Sequence, residues 1–422
     1  MSLKANVPLT ENLKQFLYIC LIFIFIFLGN VANRYINFYL FIDGGEQDVV
    51  AKIERDYLKT KNNKTYRIAL LDAKNYKFYT KISKTSNVSL NDIVKITIYN
   101  IDVNFFDYLK ARFYMPSSNI IKIKKDKNIR DDLIDSIQNQ HKNSKISELF
   151  NALYFSNYIS SSLRNDIVNF GISHLVAISG YHLGLIVSIF YLILVPILKY
   201  IYLKYIPFRD YKFDIFVISF LFLAFYIYII GYPPSFLRAF VMFVVGFYFL
   251  VRNIQILNFT NLFIAILICL SIFPNLVFSF GFYFSCMGVL YIFIYLKYFD
   301  IKRHIFLKVL FLNFYMFFAM QVPVLYFFPN ISLDQIISIP LSYIFIVFYP
   351  LSVLLHIFGV GGLFDSYLTD IFSGNYNFLY ADIGFVGFIA FNILSLIAIR
   401  VKQVAILLPL IGLLIFLKYC LF

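Results

Sequence analysis

Between Gly171 and Gly184 the chain sets two histidines, two serines and three glycines into an apolar run, Gly171-Ile172-Ser173-His174-Leu175-Val176-Ala177-Ile178-Ser179-Gly180-Tyr181-His182-Leu183-Gly184. Ser179 with His174 or His182 offers a nucleophile and a base. An orienting carboxylate is the missing third group, since none occurs between Asp166 and Asp210. Eight residues apart on one helix, the two histidines point about 80° away from each other, which suits no shared metal. Neither catalysis nor metal binding is the better reading of the stretch; packing and pore lining are. Read as one helix, it puts Ser179 and His182 on one side and makes Gly180 and Gly184 a small-residue face for close helix approach.

The elements that position such a stretch must be membrane spans. Of 422 residues 60% are hydrophobic and the mean hydropathy is +0.75, far from an ordinary soluble composition. Several apolar runs reach the ~20 residues that cross a bilayer. Cys20, Cys269, Cys286 and Cys420 all lie in apolar runs without a CxxC pair, so neither a disulfide framework nor a zinc site is expected. The abundant Tyr, Phe, Ile, Asn and Lys follow the bias of an AT-rich genome, and aromatic content alone is no sign of base stacking.

Residues 1–42 read as a membrane anchor. Lys4 and Lys14 precede the apolar run Phe16–Leu28, no small-residue cleavage site follows, and the amino terminus is expected inside. Tyr35–Ile42 either extends that helix or lies in the interface. Residues 45–127 change to short alternating runs. Val49–Tyr57, Thr65–Leu71, Tyr76–Ile82 and Ile93–Ile101 read as strands of a small barrel or sandwich. Asp43 to Arg130 holds 18 Lys and Arg against 10 Asp and Glu, more than half of the net charge of +14. That balance suits a polyanion or an anionic membrane surface, and equally plain solubility. Lys64, Arg67, Lys74, Lys77 and Lys81 interleave with Tyr66, Tyr76, Phe78 and Tyr79, a pattern fit for phosphates and stacked bases, although such aromatics also fill barrels.

Residues 128–170 read as an amphipathic helical connector, with Leu133, Ile134, Ile137, Ile146, Leu149 and Leu153 on its apolar face. It is expected along the membrane surface or against the β-domain. Within residues 171–422, Leu183–Leu198, Phe213–Ile230, Phe236–Leu250, Phe259–Phe273 and Val277–Leu296 read as spans. Lys199, Lys204, Arg209 and Lys212, and later Lys297, Lys302, Arg303 and Lys308, mark inside loops. This puts the β-domain outside. No Lys or Arg occurs from Val309 to Ile399, and Asp365, Asp370 and Asp382 suggest an outside loop. Residues 309–358 must then cross an odd number of times, as one span plus a re-entrant or broken pair around Pro340 and Pro350, or as three short spans. A last pair surrounds Arg400 and Lys402.

In Gly231-Tyr232-Pro233-Pro234-Ser235-Phe236-Leu237-Arg238-Ala239 the two prolines are expected to break a helix, which a membrane tolerates only where protein or water meets the freed backbone. From Ile215 to Leu296 the only charges are Arg238 and Arg252. Arg238 therefore reads as lining a water-filled path for an anion, or as snorkelling to the interface.

These residues carry a resemblance. The order G-I-S-H-L-x-A-I-S-G-x-H-x-G at 171–184 resembles the signature of the ComEC family of bacterial competence proteins. Residues 231–239 resemble that family's G-x-x-P-S-x-x-R-A, and Phe280–Ser285 its G-F-x-L-S with Leu replaced. Ala152–Asn157 resembles its lead-in, and Pro323–Phe328, Asn330–Ser332 and Ile339–Leu341 a later membrane segment. Asn91–Val94 and Phe105–Lys110 approximate the end of its OB-like domain. The fold implied is a polytopic α-helical membrane protein of about 9–11 spans with a small N-terminal all-β OB-like extramembrane domain at 45–127 and a channel domain at 171–422.

The function implied is an inner-membrane channel, not an enzyme, that translocates single-stranded DNA into the cytoplasm during natural transformation, without cofactor or metal. His174, Ser179, His182 and Arg238 would line the pathway. Gly171, Gly180, Gly184, Gly231, Pro233 and Pro234 would serve helix packing. Lys64, Arg67, Lys74, Lys77 and Lys81 would contact DNA. The lipid bilayer, single-stranded DNA, a periplasmic DNA-binding receptor and a cytoplasmic motor would be partners, with room for a homo-oligomer. No H-x-H-x-D-H run occurs, so a short form without the family's C-terminal metallo-β-lactamase-like domain is expected. A transporter of another anionic polymer or lipid-linked glycan, or a membrane-embedded Ser/His hydrolase, is the alternative.

Overall fold

The computed structural model describes residues 9 and 12–421 apart from 62–63, 74–75, 84–85, 90–91, 102, 111–112, 126–127, 253, 255–257, 300–304, 373 and 375–377; the side chains at 58–64, 125, 305–306 and 421 are likewise outside the description. Lys74, Asn91, Lys302, Arg303 and the side chain of Lys64 thus lie outside the described residues. The rest falls into two compact units, residues 12–132 with 267–279, and residues 133–266 with 280–422.

The first unit opens on helix α1 (Leu13–Asp43), 31 residues long and capped by the Asn12 side chain. Tyr35–Ile42 therefore extends the first helix, which at 1.5 Å per residue outruns a hydrocarbon core of about 30 Å. Its last turn enters a β-core. Phe41 is buried among Tyr76, Tyr108 and Phe113, and its carbonyl accepts from Asn100 Nδ2 at 2.5 Å and Gln47 Nε2 at 3.4 Å. These side chains satisfy a helix end that has no internal partners left.

Strands β1 (Glu46–Lys61), β2 (Lys64–Asp72), β3 (Lys77–Ile82) and β4 (Asp92–Tyr99), short helix α2 (Phe105–Lys110), and strands β5 (Phe113–Tyr114) and β6 (Ser117–Lys125) follow. The order is β5-β3-β2-β1-β4-β6, with β3 and β5 parallel and the other neighbours antiparallel. The long β1 bends at a bulge between Ile53 and Arg55, and so serves β4 with one half and β2 with the other. Because β5 runs into β6 after two residues, one continuous segment forms both edges. The sheet curls shut there, with Thr80 Oγ1 and Ser117 Oγ 2.6 Å apart across the seam. Ala51, Ile53, Ala69, Leu71, Phe78, Val94, Ile96 and Ile98 fill the inside. Strand β6 has no counterpart in the sequence expectation, which ended its run at Ile101.

The second unit holds helices α4 (Ser144–Phe155), α5 (Ser161–Asn169), α6 (Ser173–Val176), α7 (Gly180–Tyr205), α8 (Tyr211–Ile230) and α9 (Pro234–Val251), after α3 (Ile129–Gln138), which crosses the boundary between the units. Then come α10 (Phe259–Ile272), α11 (Phe280–Tyr298), α12 (Ile305–Ala319), α13 (Gln321–Phe327), strand β7 (Asn330–Ile331), α14 (Ser338–Ile357), α15 (Asp365–Ile371), strand β8 (Leu379–Tyr380), α16 (Phe385–Ile397) and α17 (Lys402–Leu421). Among the described residues eight helices are long and apolar enough to cross a membrane, with Phe259–Ile272 and Phe385–Ile397 as shorter apolar helices. The chain is a multi-pass membrane protein.

Among the described residues, two large apolar cores organise most of this unit, beside a smaller one around Ile331 and Phe416. In one, the connector helices α4 and α5 pack through Ile146, Leu149, Phe150, Leu153 and Ile167 with Phe345 and Tyr349 of α14. The connector thus docks on a helix of the membrane domain. In the other, α11, α12, α16 and α17 meet around Tyr291, Ile294, Phe391 and Leu408. Gly412 of α17 lies so near α12 that a Cβ there would strike the Phe318 carbonyl, the small-residue device of membrane helix pairs.

Phe41→Ala tests whether the end of α1 is part of the β-domain. Losing a buried aromatic costs about 3–5 kcal/mol. Limited proteolysis of the full-length variant should therefore cut within residues 44–132 at least tenfold faster, with the membrane helices as resistant as in wild type. Unchanged cleavage would make α1 a tether only.

Candidate functional site

The 171–184 stretch is not one helix. Gly171, at φ +65, ends α5 in a left-handed turn that L side chains rarely adopt, and α6 is a single four-residue turn. The chain is then extended through Ala177, and α7 starts afresh at Gly180. Ser179, at φ −141, is the N-cap. Its Oγ accepts from Tyr181 N–H at 3.3 Å, while its own N–H donates to His182 Nδ1 at 3.2 Å. This is a capping box with histidine in the place usually held by Glu or Gln. The shared side of Ser179 and His182 is therefore a helix start. Ser179 Oγ lies 3.4 Å from the same His182 Nδ1, which already accepts the Ser179 backbone N–H at 3.2 Å, so the contact belongs to the cap.

The neighbouring side chains fasten this break to distant segments. His182 is fully buried, its ring edge-on to Phe345 at 5.3 Å and Tyr349 at 4.9 Å. Tyr181 Oη donates to the Ser342 carbonyl at 2.9 Å. The exposed His174 ring contacts the Gly171 carbonyl through Nδ1 at 3.0 Å and Ser342 Oγ through Nε2 at 3.4 Å. Below it, Asn169 Nδ2 donates to Asp334 at 3.0 Å, and Gln335 Nε2 donates to the carbonyls of Asn330 at 3.1 Å and Val168 at 3.3 Å. A Cβ on Gly171 would press on Gln335 at 3.1–3.3 Å.

The 231–239 motif is a tight interhelical turn and not a break within a helix. Gly231, at φ +76, closes α8 by donating its N–H to the Ile227 carbonyl, and Pro234 occupies the first turn of α9, where a missing N–H costs nothing. Ser235 Oγ donates at 2.7 Å to the Ile178 carbonyl in the extended break before α7. One turn on, a Cβ at Gly180 would sit 3.1 Å from Ala239 Cβ and 3.4 Å from Arg238 Nη2, whereas one at Gly184 would meet nothing within 4 Å. Gly180 thus does the close packing expected of both.

Arg238 is the centre of the arrangement. Only 4% exposed, it lies inside the protein and not at an interface. Nε donates to Ser285 Oγ on α11 at 2.7 Å, and Nη1 to Met242 Sδ at 2.7 Å. The guanidinium therefore ties α9 to α11 beside the start of α7. Segments 171–184, 231–239, 280–285 and 330–342 are joined here, although as many as 168 residues separate contacting partners.

Of the β-domain residues read as DNA contacts, Arg67 and Lys77 are held in ion pairs. Arg67 holds Asp56 at 2.5 Å and donates to the carbonyls of Ser86 and Val88. The hydrogen bond to Asp56, more than burial opposes it, keeps the Arg67 pKa above its ordinary value. Lys77 is paired with both Glu54 and Asp72. Lys81 stands over the Tyr66 ring at 4.2 Å. On the far edge, Lys122 reaches the buried Asp92 at 2.7 Å; burial works against that carboxylate, yet Lys122 and Ser89 hold its pKa below the usual range.

The two glycines separate under substitution. Gly180→Val should lower the thermal unfolding midpoint of the purified protein by several degrees, an overpacking cost of ~1–3 kcal/mol. Gly184→Ala should leave it unchanged or raise it slightly, since a helix gains up to ~1 kcal/mol when Gly becomes Ala. Equal effects would remove the close approach of α7 to α9.

Comparison with curated proteins and with solved structures yields no match. A family model described as competence protein matches residues 155–421. The matched region starts at the end of α4 and takes in every segment that converges on Arg238, but leaves the β-domain outside. The chain belongs to the competence protein family, the ComEC/Rec2 family, whose role is in DNA uptake.

Proposed function

We propose that this protein is the channel that carries single-stranded DNA inward across the cytoplasmic membrane during natural transformation, with the β-domain on the outer side. A DNA receptor outside and a motor inside would be separate proteins. The observation that carries the reading is the buried Arg238 at the junction of α7, α9 and α11. Among its partners are the Ser285 hydroxyl and the Met242 thioether, both neutral. A phosphate oxygen makes a shorter and stronger charge-assisted bond to a guanidinium than either, and can make two at once. A phosphodiester entering between the helices would take over the fork, and Ser285 and the Ser235–Ile178 contact would mark where they part.

Charge at the helix ends supports the orientation. Lys199, Lys204 and Arg209 follow or end α7, Arg252 ends α9, and Lys297 ends α11. Lys297 Nζ donates to the Ile399 carbonyl at 2.7 Å, bringing it beside the Arg400 turn. Basic residues gathered at one end of a bundle favour the cytoplasmic side. The strand order of the β-domain, with one segment closing both edges, supports an OB-like barrel. Since Arg67 and Lys77 are already held by carboxylates, any strand contact there falls first to Lys81 with Tyr66.

The family is one of channels, and the capping role of Ser179 and His182 adds no catalytic pair. The test is uptake of labelled DNA past the inner membrane in cells carrying Arg238 variants at equal membrane levels. Arg238→Gln loses two hydrogen bonds from a charge, about 1.5 kcal/mol each or more, and should cut transport on the order of 100-fold. Arg238→Lys, which keeps the charge without the fork, should retain part. Capture of DNA outside the membrane should not change in either. Normal DNA uptake by the Gln variant would overturn the reading, and normal uptake in a deletion strain would point to another anionic polymer.

A further inference from the structure

Away from Arg238, a second cluster joins the turn after α3 to the end of α14. His141, whose side chain is fully buried, stacks on Phe150 at 4.8 Å. Its Nδ1 lies 2.8 Å from Asp365 Oδ1, and its Nε2 lies 3.0 Å from Nε2 of His356. Gln140 completes the joint, donating to the His356 carbonyl at 3.1 Å and accepting the Gly361 N–H at 2.9 Å. A Cβ at Gly361 would press into the His356 ring at 2.5 Å, so the joint is built around a glycine.

Hydrogen-bond valence determines how many protons this cluster contains. His356 Nδ1 faces the Ser352 carbonyl at 2.6 Å and Tyr154 Oη at 3.4 Å. The tyrosine proton is already given to Ser352 Oγ, and the serine proton to the Tyr349 carbonyl. Only acceptors face His356 Nδ1, so that nitrogen carries a proton, and a neutral His356 then has a lone pair at Nε2. His141 Nδ1 faces a carboxylate, so in a neutral ring beside an ionised Asp365 it too is protonated, leaving a second lone pair at Nε2. Two lone pairs 3.0 Å apart repel. A proton between them removes the conflict, with the positive charge balanced by Asp365. If the proton transfers to Asp365, the carboxyl donates to Nδ1 and the His141 ring turns its proton toward His356; the count is the same.

We propose that Asp365, His141 and His356 form a buried proton-binding site that fastens the connector to α14 and holds one proton more than an ionised carboxylate and two neutral imidazoles. Release of that proton to water restores the two facing lone pairs and unfastens the joint. The other groups facing it do not supply a substitute charge. From α4, Lys145 is engaged by Asp166 and by the Phe372 carbonyl, and Tyr154 is committed to Ser352. Lys142 gives Asp365 only its backbone N–H, at 3.3 Å; from α14, Tyr349 presents its carbonyl to Ser352; and Asp370 on α15 is exposed. The site does not depend on what the channel carries.

The sign of the pH effect follows from the count. Above about pH 6.5, where free histidine is neutral, the fastened state binds one proton more than the open one. It loses about tenfold in population against the open state for each further pH unit, until the site itself deprotonates. The test uses the full-length protein in lipid nanodiscs, labelled with nitrogen-15 at its five histidines. At pH 8 the wild type, labelled also with carbon-13 at its aspartate carboxyls, should show one proton beyond the neutral count, either as an imidazolium or as a protonated Asp365 carboxyl, and Asp365→Asn or His141→Gln should lose it while His174→Gln keeps it. Hydrogen-exchange protection of residues 139–145, corrected for intrinsic rates, should fall about tenfold per pH unit between about 7 and 9. It should be flat in His356→Phe, which fills the same space without a lone pair. All histidines neutral with Asp365 ionised at pH 8, or a wild-type protection that ignores pH, would overturn the proposal.

Discussion

A guanidinium cannot be left to itself in a medium without water, and much of the membrane unit can be understood from that one constraint. Arg238 is never neutral, and taking a charge out of water costs several kcal/mol unless the protein supplies the solvation. Its position one turn into α9 brings Ser285 of α11 and the backbone at Gly180 to it. For α7 to come that close it must begin at a residue with no side chain, and for it to begin there the chain must break just before. The break exposes the Ile178 carbonyl, which Ser235 then satisfies. The glycine, the cap and the serine are thus different consequences of packing helices around one buried cation.

Much of this fold could be read from the sequence, and where it could not, the cause is specific. Apolar runs give the helices because a span of ~20 residues leaves little ambiguity. Two local signals were present and overlooked. Ser179-Gly180-Tyr181-His182 has the spacing of a capping box, with a histidine Nδ1 as the acceptor, and Gly231 with Pro234 has the stop-and-start chemistry of a helix turn. Apolar periodicity runs through both and masks them, so the sequence alone reads as one helix at 171–184 and as a broken helix at 231–239. The joining of Ile178 to Ser235, of Arg238 to Ser285 and of His141 to His356 depends on tertiary packing across many intervening residues, and no local pattern carries it. His141 and His356 are lone histidines in their surroundings, 215 residues apart.

The β-domain shows the opposite relation between charge and role. Its basic excess is visible in composition, yet Arg67, Lys77, Lys95 and Lys122 each lie against a carboxylate. Cross-strand neighbours explain this: a lysine on one strand faces an acidic residue on the next at the ordinary spacing of a sheet. Composition counts charges but not their pairing, so the net +8 of this segment overstates the free cations on any one face. Only the Lys122–Asp92 pair needs strand β6, which the sequence expectation lacks; the others follow from how β1, β2, β3 and β4 pair.

A two-residue ladder ties together the two ends of a long excursion in the membrane unit. Strands β7 and β8 pair Asn330 with Tyr380 and Ile331 with Leu379, so the chain at 330 and at 379 lies at one end of the bundle. Everything between, including α14 and α15, leaves that end and returns to it. After the ladder, α16 leads to the Ile399 carbonyl, which accepts from Lys297 of α11 at 2.7 Å. The excursion through α14 has a use as well. It carries Ser342 to Tyr181, Tyr349 to His182 and His356 to His141 in succession along one helix. A single returning helix thus touches the break before α7 with one end and the proton-bearing joint with the other. A shift of α14 along its axis would be felt at both.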